Sequence, residues 1–142
     1  MIVDFYHLTA APLERVLPAI AEKVLASGGR LLVVVDEGQL PRLDEQLWTF
    51  AKDSFLPHGR VNPEAQPILL SADPVAANGA TNIALADGTW RDEALTFART
   101  FYFFDAGRLD GARAAWRNLK GNPDAEARYW KQDERGKWVQ GP

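Results

Sequence analysis

The segment RLLVVV, residues 30–35, decides the fold class. After Arg30 it is a continuous run of aliphatic side chains, rich in β-branched residues, with no polar position in between. Such a run is typical of a strand that is buried on both faces, as the strands of parallel sheets are. The segment therefore predicts one strand of a parallel sheet.

Helical and extended patterns alternate on either side of this strand. Residues 2–8 predict a strand, and apolar residues repeat every three or four positions from Leu13 to Leu25, which predicts a helix that Gly28 and Gly29 end. Pro18 lies inside this pattern and should kink the helix. Residues 38–50 predict a second helix after the strand.

The remaining patterns continue the same alternation. They predict strands at 66–71, 82–86 and 99–105, a short helix at 92–98, a helix at 109–120 and a strand with a turn within 127–139. This order predicts a three-layer α/β fold, in which helices flank a largely parallel sheet. We expect one domain that spans residues 1–142.

The composition fits a globular domain and excludes several kinds of site. The chain has 142 residues, 46% of them hydrophobic, and its 16 basic and 19 acidic side chains give a net charge of −3, which disfavours broad attraction to nucleic acid. The absence of cysteine excludes disulfides, zinc–thiolate sites and thiol nucleophiles.

The N-terminus does not resemble a signal peptide, and no apolar run approaches the roughly 20 residues that span a bilayer. We expect a soluble, cytoplasmic protein without a membrane partner.

The sequence carries no recognisable catalytic motif. Neither G-x-G-x-x-G nor G-x-x-x-x-G-K-[ST] occurs, and Ser54 has no G-x-S-x-G context. His7 ends the first strand and is interpreted as a hydrogen-bonded structural residue, while Asp36 and Glu37 fit either acid–base chemistry or the start of the second helix. We expect no catalytic residues, no metal and no cofactor. A small enzyme that uses His7 with Asp36 or Glu37 is the alternative.

The helix predicted at residues 109–120 has two different faces. At about 100° per residue, its apolar and basic residues fall on separate arcs, and Trp116 lies between them. The apolar residues are Ala112, Ala115 and Leu119, and the basic residues are Arg113, Arg117 and Lys120. Guanidinium groups bind carboxylates and an indole shelters apolar groups, so this face suits a short acidic peptide with a hydrophobic end. The alternatives are a solvated amphipathic helix and a direct site for single-stranded nucleic acid.

The segment LWTFAKDSFLPHG, residues 47–59, is unusually aromatic for a connection. The inward stripe of the second helix already contains Leu40, Leu43, Leu47 and Phe50, so Trp48 should emerge at the edge of that stripe. The ending Pro-His-Gly is not expected to close a strand. Phe55 and Leu56 therefore either fill the core or form a surface for a partner.

Several stretches, in order over nearly the whole chain, resemble one family. They are FYHLT, DEQLWTFAKDSFLPHG, QPILLS, NGATNIALADG and ARYWKQDERGKW. Together they are similar to the chi subunit of bacterial DNA polymerase III, an accessory protein of the clamp-loader assembly. The resemblance implies a Rossmann-like α/β fold without catalysis or a nucleotide cofactor, in agreement with the missing glycine loop.

The resemblance also implies two protein partners. The psi subunit would bind at Trp48, Phe55, Leu56, Pro57 and His58, where some family members bind a helicase instead. The acidic C-terminal tail of single-stranded-DNA-binding protein would bind at Arg113, Trp116, Arg117 and Lys120, with Arg108 as a further basic residue before the helix. The expected function is that of an adaptor that links the clamp loader to coated DNA, without direct binding of nucleic acid.

Overall fold

The structure is a computed structural model that describes residues 1–49 and 56–141. Within these ranges the strands are β1 (Ile2–His7), β2 (Leu31–Val34), β3 (His58–Gly59), β4 (Ile68–Ser71), β5 (Asn82–Leu85), β6 (Arg99–Phe104), β7 (Glu126–Gln132) and β8 (Trp138–Gln140). The α-helices are α1 (Leu13–Ala26), α2 (Leu40–Thr49) and α3 (Leu109–Lys120). Short 3₁₀ helices lie at Glu37–Gln39, Pro63–Ala65, Asp92–Thr96 and Ala106–Arg108.

The strands form one mixed sheet that is almost entirely parallel. Their order is β3-β4-β2-β5-β6-β1-β7-β8. Each neighbouring pair runs parallel except β7 and β8, which form an antiparallel hairpin at one edge. The predicted α/β class with a largely parallel sheet is confirmed.

Helices cover both faces of this sheet, which gives the three predicted layers. One apolar cluster joins α1 and α2 to one face through Leu17 and Leu47, and the other joins α3 to the opposite face through Leu119. All residues from Leu31 to Val35 are buried, as the run RLLVVV predicts for a strand that is covered on both faces.

Two local predictions need correction, and a third concerns a residue outside those that the structure describes. The prediction that Pro-His-Gly would not close a strand is wrong, because His58 and Gly59 pair with Ile68 and Leu69 as a two-residue parallel strand. The short helix predicted at 92–98 is instead a 3₁₀ helix over Asp92–Thr96. Phe50, the last predicted member of the α2 stripe, lies outside the described residues.

A buried carboxylate attaches the β7–β8 hairpin to the centre of the sheet. Asp4 of β1 is fully buried and accepts hydrogen bonds from Arg128 (2.7 and 3.0 Å) and Trp130 (3.0 Å) of β7. Arg99 of β6 donates two more (3.1 and 2.9 Å) from the other side. Burial by itself would raise the pKa of Asp4, but these hydrogen bonds outweigh it and hold that pKa below its usual value. Three neighbouring strands therefore meet at one anionic side chain.

Candidate protein-interaction surfaces

Helix α3 presents the two faces that its sequence predicts. Ala112, Ala115 and Leu119 are buried against the sheet, while Arg113, Arg117 and Lys120 are exposed and Trp116 is partly buried between them. The helix ends at Gly121, and its last turn carries Arg117 and Lys120 beside the carbonyl end of the helix dipole. The cations therefore lie on the solvent side of a helix that is fixed by its apolar side.

A groove of about 430 Å³ runs between α3 and the sheet. Arg113, Trp116 and Arg117 line it from the helix, and Tyr129 and Lys131 line it from β7. The groove, called here the α3–β7 groove, thus brings together three of the four residues that the resemblance assigns to tail binding. The fourth, Lys120, does not line the groove, but its Nζ lies 4.6 Å from the centroid of the Trp116 ring, within cation–π distance.

Aromatic rings form the floor of the α3–β7 groove. Phe5 and Phe104 line it from β1 and β6, and the ring centroid of Trp116 lies 5.2 Å from that of Phe5 in an edge-to-face arrangement. Trp116 also meets Tyr129 edge to face, at 6.3 Å between centroids. This packing fixes the indole and leaves an apolar surface below the cations, which suits a hydrophobic side chain.

Within the part of the chain that the structure describes, the cations around this groove are not paired with carboxylates. Arg60, Arg91, Arg99 and Arg128 each form an ion pair with an aspartate. Arg113, Arg117, Lys120 and Lys131 have no ion pair with any carboxylate of residues 1–49 and 56–141. The groove is therefore a concentrated positive patch on a chain whose net charge is −3.

His7 also lines the groove and is hydrogen-bonded, as predicted. Its Nδ1 is 2.7 Å from the Tyr129 hydroxyl, and its ring stacks on Phe104 with 5.1 Å between centroids. Burial lowers the pKa of His7, and the nearby carboxylate of Asp105 offsets part of that effect. Contact with Tyr129 makes His7 a structural support of the groove wall.

The second predicted surface is centred on Trp48 at the end of α2. The Trp48 side chain is 52% exposed, which confirms that it emerges at the edge of the helix stripe. Its ring lies 4.7 Å from that of His58, centroid to centroid. The Trp48 surface thus consists of this indole above β3, with Pro57 partly buried beside it.

Two of the residues that were expected to face a partner are buried instead. Leu56 is only 2% exposed and joins the core between the sheet and the layer of α1 and α2. His58 is also buried, with Nδ1 2.6 Å from the Leu56 carbonyl oxygen and Nε2 2.8 Å from Oδ1 of Asp44. His58 links β3 to Asp44 of α2 and lies against the Trp48 ring, while Leu56 belongs to the core, so neither side chain is displayed to a partner. Phe55 lies outside the described residues.

The two surfaces lie on a chain that matches a known family over most of its length. A family model described as DNA polymerase III chi subunit, HolC, matches residues 1–123. The chain belongs to the chi family. No curated protein matches it. The matched residues include β1–β6 and all of α1–α3, and hence the α3 side of the groove and the Trp48 surface.

Membership of the chi family makes this chain an accessory subunit of DNA polymerase III. Among the residues that the structure describes, no group of three histidine, aspartate or glutamate side chains could hold a metal ion. No helix in the same part of the chain is long and apolar enough to cross a membrane.

The cleft where many α/β enzymes bind substrates does not contain the residues of the enzyme alternative. A cleft of about 720 Å³ lies at the carboxyl ends of β1, β2, β5 and β6. His7, Asp36 and Glu37 are not among its lining residues, whereas Asp87 is, and both oxygens of Asp87 are bound by Arg91. Asp36 takes the N-cap position and Glu37 the first turn of the 3₁₀ helix that leads into α2, as the alternative interpretation predicts, although the Asp36 side chain forms no capping hydrogen bond.

Sequence reasoning missed the β7 wall of the groove. The alternation in ARYWKQ places Tyr129 and Lys131 on one side of a strand and Arg128 and Trp130 on the other. The sequence does not reveal which side meets α3, because this depends on β7 pairing with β1 in parallel, more than 120 residues away in the chain. Only the assembled sheet brings Lys131 opposite Arg113.

Proposed function

We propose that this chi-family chain is a non-catalytic adaptor. It binds the acidic C-terminal tail of single-stranded-DNA-binding protein in the α3–β7 groove and the psi subunit at the Trp48 surface, which couples the clamp loader to coated DNA. The observation that carries the tail proposal is a group of cations above an aromatic floor, none of which pairs with a carboxylate among the described residues. Acidic side chains of the tail match the cations, and its apolar end matches the floor.

Direct binding of nucleic acid is the weaker explanation of the same patch. Four cations on one side of an acidic chain offer few phosphate contacts, and the indole of Trp116 is partly buried, packed against Phe5 and Tyr129, and has the Lys120 ammonium 4.6 Å from its ring centroid. Bases stack on aromatic faces that are open to solvent. A gel shift with bare single-stranded DNA is expected to show no complex at a protein concentration that saturates the tail peptide.

The tail proposal is tested by calorimetric titration with a synthetic acidic peptide that ends in an aromatic residue. Arg113→Ala should weaken binding by roughly 1–2 kcal/mol, or about 5- to 30-fold, because it removes a cation from the centre of the groove wall. Arg15→Ala is the matched control, since Arg15 is an exposed arginine on α1, across the sheet from α3. Equal affinity of wild type and Arg113→Ala would overturn the assignment.

The psi proposal rests on Trp48, a large indole that is half exposed near the end of α2. Exposed tryptophans at such positions are frequent anchors of protein interfaces. Trp48→Ala should abolish co-purification with psi and leave the affinity for the tail peptide unchanged. If the variant still binds psi, the surface is wrongly assigned; a helicase is then tested as its partner in the same assay.

A further inference from the structure

The α3–β7 groove has a second wall that lies beyond the part of the chain that matches the family. The match ends at residue 123, and β7 begins at Glu126. Tyr129 and Lys131 of β7 line the groove opposite Arg113 and Arg117 of α3. The shape of the groove therefore depends on a strand that lies outside the matched residues.

The β7 wall is held rigidly by contacts on the other face of the sheet. Side chains of β7 alternate, so Arg128 and Trp130 point away from the groove and bind the buried carboxylate of Asp4. Between them, Tyr129 points into the groove. This arrangement fixes the backbone of β7 while its other face stays available to a ligand.

The Tyr129 ring is also fixed on the groove side. Its hydroxyl lies 2.7 Å from Nδ1 of His7, and its backbone carbonyl accepts a hydrogen bond from the amide of Gly141 at 2.7 Å. A β-carbon added to Gly141 would lie only 2.6 Å from Cδ1 of Tyr129, so the chain passes directly against the ring. A wall that is ordered before binding loses little entropy when a peptide arrives.

Lys131 adds the cation of this wall. It pairs in register with His7 at the end of β1, its side chain is exposed, and it forms no ion pair with the described carboxylates. Arg113 approaches the same wall, since its charge acts on the Tyr129 hydroxyl and counters the rise in the pKa of Tyr129 that burial causes. Positive charge thus borders the groove on both sides.

We infer that the acidic peptide is held between α3 and β7, with Lys131 as a binding residue that acts on peptide carboxylates from the wall opposite Arg113. This inference rests on the proposed tail-binding function. A peptide that lay along α3 alone would contact Arg113, Arg117 and Lys120 and would leave β7 untouched. The two arrangements differ in whether Lys131 and Tyr129 contribute to affinity.

The experiment compares Lys131→Ala with Lys23→Ala in titrations with the same acidic peptide. Lys131→Ala should weaken binding by about two- to five-fold at low salt, the effect of one partly exposed ion pair, and less at high salt. Lys23 is the matched control, since it is an exposed lysine on α1, which packs on the opposite face of the sheet. Lys23→Ala should bind as wild type does.

Amide chemical shifts provide a second readout that needs no substitution. Titration of the peptide into labelled wild-type protein should shift the amides of Tyr129 and Lys131 together with those of α3. If Arg113→Ala weakens binding while Lys131→Ala does not, and the β7 amides stay unshifted, the second wall is refuted, whereas binding of the tail along α3, and with it the adaptor function, stands. If wild type binds no peptide at all, both are refuted.

Discussion

Replacement of Asp4 by asparagine should destabilise the protein more than the same replacement at an exposed aspartate. The side chain is nearly isosteric, so the change removes the charge and one acceptor oxygen with little effect on volume. Wild-type Asp4 accepts five hydrogen bonds from Arg99, Arg128 and Trp130. In the variant two guanidinium groups lose their counterion, and an amide NH₂ group faces donors.

The expected loss of folding free energy depends on how deeply Asp4 and its two arginine partners are buried. Removal of one partner of a fully buried ion pair costs about 3–5 kcal/mol. The Arg99 and Arg128 side chains are 41% and 27% exposed, so water recovers part of the loss. We therefore expect the free energy of unfolding to fall by about 3 kcal/mol, the lower end of that range.

Urea denaturation at pH 7 measures this difference, with Asp73→Asn as the control at an exposed aspartate. The control should lie within about 0.5 kcal/mol of wild type. Because the pKa of Asp4 is lowered in the folded state, its contribution is complete above the usual value of 3.8 and is lost as the pH falls through the folded-state pKa. The gap between wild type and Asp4→Asn should therefore shrink in acid. A gap at pH 7 as small as that of the control would refute the reasoning.

Two further predictions concern stability. Asn78→Ala should lower the free energy of unfolding, measured by urea denaturation, by roughly 2–4 kcal/mol. The buried Asn78 side chain donates hydrogen bonds to the backbone carbonyls of Leu31 and Gln66 and accepts one from the backbone N–H of Ala80. A loss below about 1 kcal/mol, on the order of one average hydrogen bond, would contradict this prediction. Because burial lowers the pKa of His7, wild type should lose stability as the pH falls below the usual 6.5, whereas His7→Gln should lose less over the same interval. Parallel pH profiles of the thermal midpoint for the two proteins would contradict that role of His7.

The sequence predicted the features that depend on local periodicity. The burial of β2, the two faces of α3 and the emergence of Trp48 follow from the spacing of apolar residues along one element. Each of these needs only the geometry of a single strand or helix. The same spacing also placed Arg113 and Arg117 together on the face that lines the groove.

The features that the sequence did not predict depend on contacts between distant segments. No motif in the sequence singles out Asp4, which is buried in β1 and bound by Arg128, a residue 124 positions further along the chain in the neighbouring β7. Leu56 and His58 were expected at a surface, yet β3 joins the sheet and turns both side chains inward. Lys131 gains its place opposite α3 in the same way, from the strand order.

The measurement that tests the adaptor proposal most directly compares two forms of single-stranded-DNA-binding protein on immobilised single-stranded DNA. One form keeps its acidic C-terminal tail and the other lacks it. Our account predicts that the wild-type chain binds DNA coated with the intact protein, and that neither the tail-less coat nor bare DNA retains it. Equal retention on intact and tail-less coats would contradict the account, because the α3–β7 groove would then have no part in the contact.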